Sequence, residues 1–157
     1  MIYLSFFVLN GLLLALSIID LKTFRLPNFL TFSLIITGLI DAWFFSGDFQ
    51  NRIVGAVAGY LFFLVIELGY KSMRGQDGLG RGDAKLLAGG GAWTGWFGLP
   101  FIVLIGSIMG LVASLFPSIR DKNRIPFGPF LALGIIIVWF ALNNQTLLGP
   151  DYKLPFQ

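Results

Sequence analysis

The sequence contains no cysteine and no histidine. The absence of cysteine excludes disulfides, thiolate nucleophiles and metal sites built on sulfur. The absence of histidine removes imidazole ligands and the commonest general base. Any catalysis by this chain must therefore use carboxylates, hydroxyls, lysine, tyrosine or backbone groups, and we expect neither a metal nor a cofactor.

Charge is also scarce, because only 12% of the 157 residues are charged whereas 56% are hydrophobic. A water-soluble domain of this length needs more charge on its surface, so the composition predicts a lipid bilayer as the main solvent. The net charge of +3 is small and the basic residues form no patch with interleaved aromatics. We therefore expect no binding of nucleic acid.

Six apolar stretches resemble membrane-spanning helices, which need about 20 residues. They cover approximately residues 2–19, 28–46, 53–70, 84–98, 99–117 and 127–143. The fourth is short for a span and joins the fifth through a reversal rich in Gly and Pro. The first has no basic residue before it, which favours a permanent helix over a secretory signal. The sequence predicts an all-α polytopic membrane bundle of about six transmembrane helices, forming one domain over residues 1–157.

Basic residues are distributed unevenly between the two sides of this predicted bundle. Nine of the eleven lie in the loops after spans one, three and five or at the start of span four, and the others are Arg52 and Lys153. Short cytoplasmic loops are rich in Lys and Arg. We therefore assign those three loops to the cytoplasm and both termini to the outside.

Small residues recur at four-residue spacing within spans, as Gly55/Gly59, Ala88/Ala92 and Gly106/Gly110. Such pairs let helix backbones approach closely in lipid, where packing replaces the hydrophobic effect as the main attraction. We interpret them as contacts inside a compact bundle rather than as a dimerisation motif. The sequence leaves the oligomeric state open.

Two of the eight acidic residues lie where a predicted span meets the cytoplasmic side: Asp20 ends span one and Asp83 opens span four. Taken singly, each has an ordinary explanation, Asp20 as an interfacial residue near Lys22 and Asp83 as a helix N-cap. Four other acids fall in predicted loops or the tail and need no explanation beyond solvation: Asp48, Asp77, Asp121 and Asp151.

The shared edge of Asp20 and Asp83 suggests a chemical role for the pair. Two carboxylates that meet in a partly dry site share one proton. The ionised carboxylate then takes a proton from water while the protonated one polarises a substrate carbonyl, which hydrolyses a peptide without histidine, cysteine or metal. Because a helix N-terminus favours an anion and a C-terminus disfavours one, we predict that Asp83 is the base and Asp20 the acid.

Glu67 and Asp41 are the acids that lie inside predicted spans. Glu67 precedes Lys71 by four residues, a favourable order for an ion pair on one helix, so we favour a structural role over catalysis. Asp41 lies toward the outer end of span two. We do not expect it to join a site on the inner face.

Three segments together resemble the bacterial type IV prepilin peptidases, which are GxGD aspartic proteases of membranes. Gly80-Arg81-Gly82-Asp83 looks like the GxGD motif, Asp20 followed by Leu26-Pro27-Asn28 is similar to the family's other aspartate motif, and Pro126-Phe127-Gly128-Pro129 resembles its late segment. GxGD alone would be a weak signal. The three segments stand in the family's order, each at a predicted cytoplasmic border, and cover nearly the whole chain.

The resemblance implies an aspartic endopeptidase with Asp20 and Asp83 as catalytic residues. It would remove short basic leaders from membrane-inserted type IV prepilins, or from the pseudopilins of type II secretion, at the cytoplasmic face of a bacterial inner membrane. Gly80 and Gly82 beside Asp83 would let a substrate backbone approach closely, or would form only a flexible turn. Longer members carry a cysteine-containing N-terminal region and also methylate the new N-terminus. This chain starts with a span and has no cysteine, which argues against methylation.

Three other interpretations stay open from the sequence. A related GxGD protease would cut another substrate, such as an archaeal preflagellin, although the Pro-Phe-Gly-Pro segment favours the bacterial branch. A small ion or proton-coupled transporter would be expected to place acids near mid-span. A purely structural membrane subunit would leave all three motifs unexplained.

Overall fold

The computed structural model describes residues 2–74, 80–115 and 126–143 and contains no strand within them. The six α-helices of these ranges are α1 Ile2–Thr23, α2 Asn28–Asp41, α3 Phe49–Arg74, α4 Arg81–Thr94, α5 Leu99–Ser114 and α6 Gly128–Asn143. A π-helical turn at Ala42–Ser46 extends α2, and a 3-10 turn at Trp96–Gly98 leads into α5. The prediction of an all-α fold is confirmed, whereas the loop acids Asp77, Asp121 and Asp151 lie outside the described residues.

In the part of the chain that the structure describes, four helical segments are long and apolar enough to cross a membrane: Tyr3–Thr23, Asn28–Phe45, Phe49–Met73 and Trp96–Ser114. The chain is therefore a multi-pass membrane protein. The other two predicted spans are shorter than expected, since α6 is apolar but has 16 residues and α4 has only 14. Within the described ranges the six helices match the six predicted ones, but two of them do not reach the length of a span.

α4 is both short and central in the bundle. It packs against α2, α3 and α6, and every residue from Leu86 to Thr94 is buried. A helix enclosed by other helices needs small residues for close packing more than it needs an apolar surface for lipid. Its composition, with three consecutive glycines at 89–91, fits this enclosed position.

Glycines bring α3 and α4 into backbone contact. A Cβ atom on Gly55 would lie 2.5 Å from the carbonyl oxygen of Gly91, and one on Gly59 would lie 2.7 Å from that of Leu87. On α5, a Cβ atom at Gly106 would lie 3.3 Å from Cα of Leu131 in α6. These glycines therefore make contacts within the bundle, as the sequence predicts.

The C-terminal end of α4 is tied to other helices by side-chain hydrogen bonds. The guanidinium of Arg52 donates hydrogen bonds to the carbonyls of Trp93 and, at 3.4 Å, Ala92. The indole N–H of Trp93 donates to the carbonyl of Leu34 on α2 at 2.9 Å. The last carbonyls of a helix have no partner within it. Arg52 therefore supplies donors that the end of α4 lacks.

Replacing Arg52 with Met should lower the free energy of unfolding by about 2 kcal/mol, because two carbonyls lose a charged donor while the apolar stem is kept. Denaturant titration in detergent micelles measures this change. Asn51→Ala is the control on the preceding residue, since its side chain bonds only Asp48 at an exposed position. Its effect should stay within about 0.5 kcal/mol. Equal effects of the two substitutions would contradict a capping role for Arg52.

Candidate active site

Asp20 is placed by the last turn of α1, where its side chain is only 5% exposed. α1 ends because Phe24 adopts a left-handed conformation, with φ 53°, and its N–H donates to the carbonyl of Asp20 at 2.8 Å. Such a residue closes a helix and redirects the chain. The chain then passes through an extended Pro27 into α2, so the Leu-Pro-Asn step follows the end of α1.

Asp83 is placed by the first turn of α4, as the third residue of that helix. The helix N-cap is Gly80, whose carbonyl accepts the N–H of Asp83 at 2.9 Å. The interpretation of Asp83 as the N-cap is therefore wrong. Gly80 has φ −71° and ψ 126°, a conformation open to any residue, so its backbone does not require glycine.

Gly82 brings the start of α4 against the turn between α1 and α2. A Cβ atom at Gly82 would lie 3.0 Å from Cβ of Leu26, so a side chain there would push the two segments apart. A second link joins the same segments, because the ammonium of Lys85 donates to the side-chain oxygen of Asn28 at 2.6 Å. Packing and this hydrogen bond bring the Leu-Pro-Asn and GxGD segments together.

The structure brings Asp20 and Asp83 close enough for their charges to interact. Burial raises the pKa of Asp83 to about 7, and the negative charge of Asp20 adds to this increase. Desolvation is the larger cause of this increase, and it acts against the dipole at the start of α4, which favours an anion. Which of the two acids ionises first stays a prediction. A pair that holds one proton near neutral pH can activate a water and polarise a carbonyl together.

The third segment supplies a contact that the sequence analysis missed. Gly128 is the first residue of α6, and its N–H donates to Oδ2 of Asp20 at 3.1 Å. A first-turn N–H has no acceptor inside its own helix, and the next residue, Pro129, has no N–H to offer. The Gly-Pro step signals a helix start, but no local pattern shows which acceptor its free N–H reaches.

The two remaining acids of the predicted spans, Glu67 and Asp41, have other partners in the structure. Glu67 is buried in α3, and its carboxylate pairs with the exposed Arg81 at 3.3 Å. The sequence predicts Lys71 as the partner of Glu67 on the same helix. The structure shows that Arg81, on another helix, is also a partner. Asp41, at the opposite end of α2, accepts a hydrogen bond from the hydroxyl of Ser5. No group of three acidic side chains able to hold a metal occurs in the described part of the chain.

Comparison with known proteins identifies similar sequences over most of the chain. Residues 7–115 match the type IV leader peptidase family. A prepilin leader peptidase/N-methyltransferase of Burkholderia pseudomallei (strain K96243) is 45% identical over 152 residues, covering 93% of this chain and 49% of that protein. A protein of the same name from Escherichia coli (strain K12) is 42% identical over 128 residues, covering 79% of this chain and 57% of that protein.

A third relative with this name, from Pectobacterium carotovorum subsp. carotovorum, is 42% identical over 134 residues, covering 81% of this chain and 47% of that protein. The chain thus spans about half the length of the curated relatives it matches. No solved structure matches it.

Proposed function

Since this chain belongs to the type IV leader peptidase family, we propose that it is an aspartic endopeptidase whose catalytic residues are Asp20 and Asp83. The observation that carries the proposal is the electrostatic coupling of these two carboxylates, which lie far apart in sequence. Each is supplied by a different helix, and Gly82 and Lys85 hold the two backbone segments together.

The proposed substrates are membrane-inserted type IV prepilins or pseudopilins, cut after the Gly that ends their basic leader. Three relatives at 42–45% identity carry the name prepilin leader peptidase/N-methyltransferase, which supports this substrate class. The uneven distribution of Lys and Arg favours a cytoplasmic position for the helix ends that carry the pair. The corresponding location is the inner membrane of a bacterium.

In the proposed mechanism, Asp20 is the base and Asp83 the acid, which reverses the assignment made from the sequence. The N–H of Gly128 stabilises the carboxylate form of Asp20, and the pKa of about 7 lets Asp83 hold a proton up to about neutral pH. Asp20 takes a proton from water as the water oxygen attacks the scissile carbonyl carbon. Asp83 gives its proton to the carbonyl oxygen, and a neutral gem-diol forms.

Collapse of the gem-diol restores both carboxyls. Asp20, now protonated, gives its proton to the amide nitrogen as the C–N bond breaks. A gem-diol hydroxyl returns a proton to Asp83 as the carboxyl group of the leader forms. The products are the leader and the mature pilin with a free amino terminus, and the enzyme again holds one shared proton.

The proposal is tested with purified protein in liposomes that also contain a full-length prepilin. Mass spectrometry of the products should show one cut, after the Gly at the end of the leader. The double variant Asp20→Asn/Asp83→Asn controls for a contaminating protease. A parallel assay uses a preflagellin. Cleavage of the preflagellin but not of the prepilin would assign the protein to the related GxGD proteases that act on preflagellins. A folded wild-type protein that leaves all these substrates intact would reject the proposal.

The pH dependence of cleavage tests the role of Asp83 separately. An acid with a pKa of about 7 is protonated below that pH and ionised above it. We therefore expect kcat/KM to fall as the pH rises from about 7 to 9, approaching tenfold per unit well above the pKa. The exposed-loop variant Asp48→Asn should show the same descending limb. A rate that rises steadily over this range would contradict the assignment of Asp83 as the acid.

A further inference from the structure

We propose that Gly128 is a positioning residue for the reaction. Its backbone N–H holds one carboxylate oxygen of Asp20, so that the other is free to face the water, and its missing side chain leaves the space in which Asp20 lies. This inference rests on the catalytic role proposed for Asp20 and adds a requirement at the start of α6.

The first observation is the hydrogen bond itself, from the Gly128 N–H to Oδ2 of Asp20 at 3.1 Å. Both groups are buried, so water does not readily replace the donor. A hydrogen bond to an ionised acceptor is stronger than one between neutral groups. With Oδ2 engaged, rotation of the Asp20 carboxylate is restricted, which fixes the direction of its second oxygen.

The second observation is steric. A Cβ atom built on Gly128 would lie 2.6 Å from Oδ2 and 3.1 Å from Cγ of Asp20. Gly128 is not among the glycines with positive φ, so its backbone conformation is open to other residues. Glycine is required there by the space that Asp20 occupies, and any side chain would displace the carboxylate.

The third observation is that the start of α6 is anchored independently of Asp20. The ring of Phe127 packs edge-on against that of the buried Phe63 in α3, with centroids 6.2 Å apart. The carbonyl of Phe127 accepts the N–H of Leu131 at 3.1 Å. Because the backbone is tied on both sides of Gly128, Asp20 rather than α6 would move to relieve a clash.

Among the residues that the structure describes, few ionisable groups surround Asp20, which makes a pH measurement interpretable. α1 packs chiefly against α2 and α6. α6 has no titratable side chain, and the acid of α2, Asp41, lies at its far end. α4 contributes Asp83, which is coupled to Asp20, and Lys85, which is held by Asn28. The basic residues Lys22 and Arg25 follow Asp20 along the chain and are exposed.

The first test compares Gly128→Ala with Gly134→Ala, a matched change on the same helix. A Cβ atom at Gly134 would lie 2.8 Å from the carbonyl oxygen of Ile102, so it is equally crowded but remote from Asp20. We expect Gly128→Ala to lower kcat by about 10- to 100-fold. The ascending limb of the pH profile, on which the rate rises as Asp20 loses its proton, should move up by about one unit. Gly134→Ala should leave the position of that limb unchanged.

The second test removes the N–H without adding an atom, which keeps the proposal falsifiable if Gly128→Ala does not fold. Glycolic acid in place of Gly128, introduced by semisynthesis, turns the amide into an ester. The ester should reproduce the upward shift of the ascending limb, and a matched ester at Gly134 should not. An unshifted limb in the Gly128 ester would overturn this inference. The proposed function itself fails if Asp20→Asn or Asp83→Asn stays active, or if the folded wild-type protein cleaves none of the substrates, and neither result depends on Gly128.

Discussion

Leader cleavage should fall by about 10⁴-fold or more when either Asp20 or Asp83 is replaced with Asn, the order of loss seen when a member of a catalytic unit is removed. Asn is nearly the same size as Asp but neither accepts a proton from water nor donates one to a carbonyl oxygen. Because the two carboxyls act on the same water and carbonyl, the double variant should be about as slow as either single one. Single-turnover cleavage in liposomes measures all three.

Asp48→Asn is the matched control for these variants, since Asp48 lies in the exposed turn before α3. It should cleave at the wild-type rate.

Stability provides a second control. The pKa of Asp83 is raised from 3.8 to about 7 in the folded protein, so its contribution to stability is fully present below about pH 4 and is lost as the pH rises toward 7. Asp83→Asn should therefore be at least as stable as wild type at pH 8. In the cleavage assay, full activity of either Asn variant would show that Asp20 and Asp83 are not the catalytic pair.

The second large effect is expected at the contact between α3 and α4. Gly55→Ala should lower the free energy of unfolding by about 3 kcal/mol or more, because the new Cβ would lie 2.5 Å from the Gly91 carbonyl oxygen and 2.6 Å from the Gly95 carbonyl carbon. Both are backbone atoms, so no side-chain rotation relieves the overlap. The two helices must separate, and α4 carries Asp83.

Gly69→Ala is the control for this substitution on the same helix, because a Cβ atom there would meet nothing within 4 Å. It should change stability by less than about 1 kcal/mol. Unfolding in mixed micelles measures both variants, and the cleavage assay reports whether Asp83 stays in place. If both substitutions had the same small effect, the close packing of these two helices would not be a source of stability.

The helices could be placed from the sequence because each apolar run is bounded by charged residues or by Gly and Pro. Four of the six runs contain segments of span length. The short length of α4 and its enclosed position depend on which helices surround it, and periodicity does not reveal that. The glycines of α3 indicated a close helix contact, but only the folded backbone shows that Gly91 is the partner of Gly55.

The meeting of Asp20 and Asp83 was predicted from topology, because both residues end or begin a helix on the same side of the bundle. The proton distribution proposed above differs from the one predicted from the sequence, because the prediction took account only of the helix that carries each residue. The decisive contacts come from other elements: Asp20 acts on Asp83 through its charge, and the N–H of Gly128 in α6 acts on Asp20. Such long-range contacts have no signature in a single sequence.

The shortness of α4 has a consequence for biogenesis. α4 is not among the helices long and apolar enough to enter a bilayer unaided, and its first turns carry Arg81, Asp83 and Lys85. Partitioning from the insertion machinery into lipid favours strongly apolar segments, so α4 should integrate only together with its more hydrophobic neighbours. On the mechanism proposed above, the nascent protein would acquire Asp83 late, and immature chains in the membrane would lack the complete pair of carboxylates.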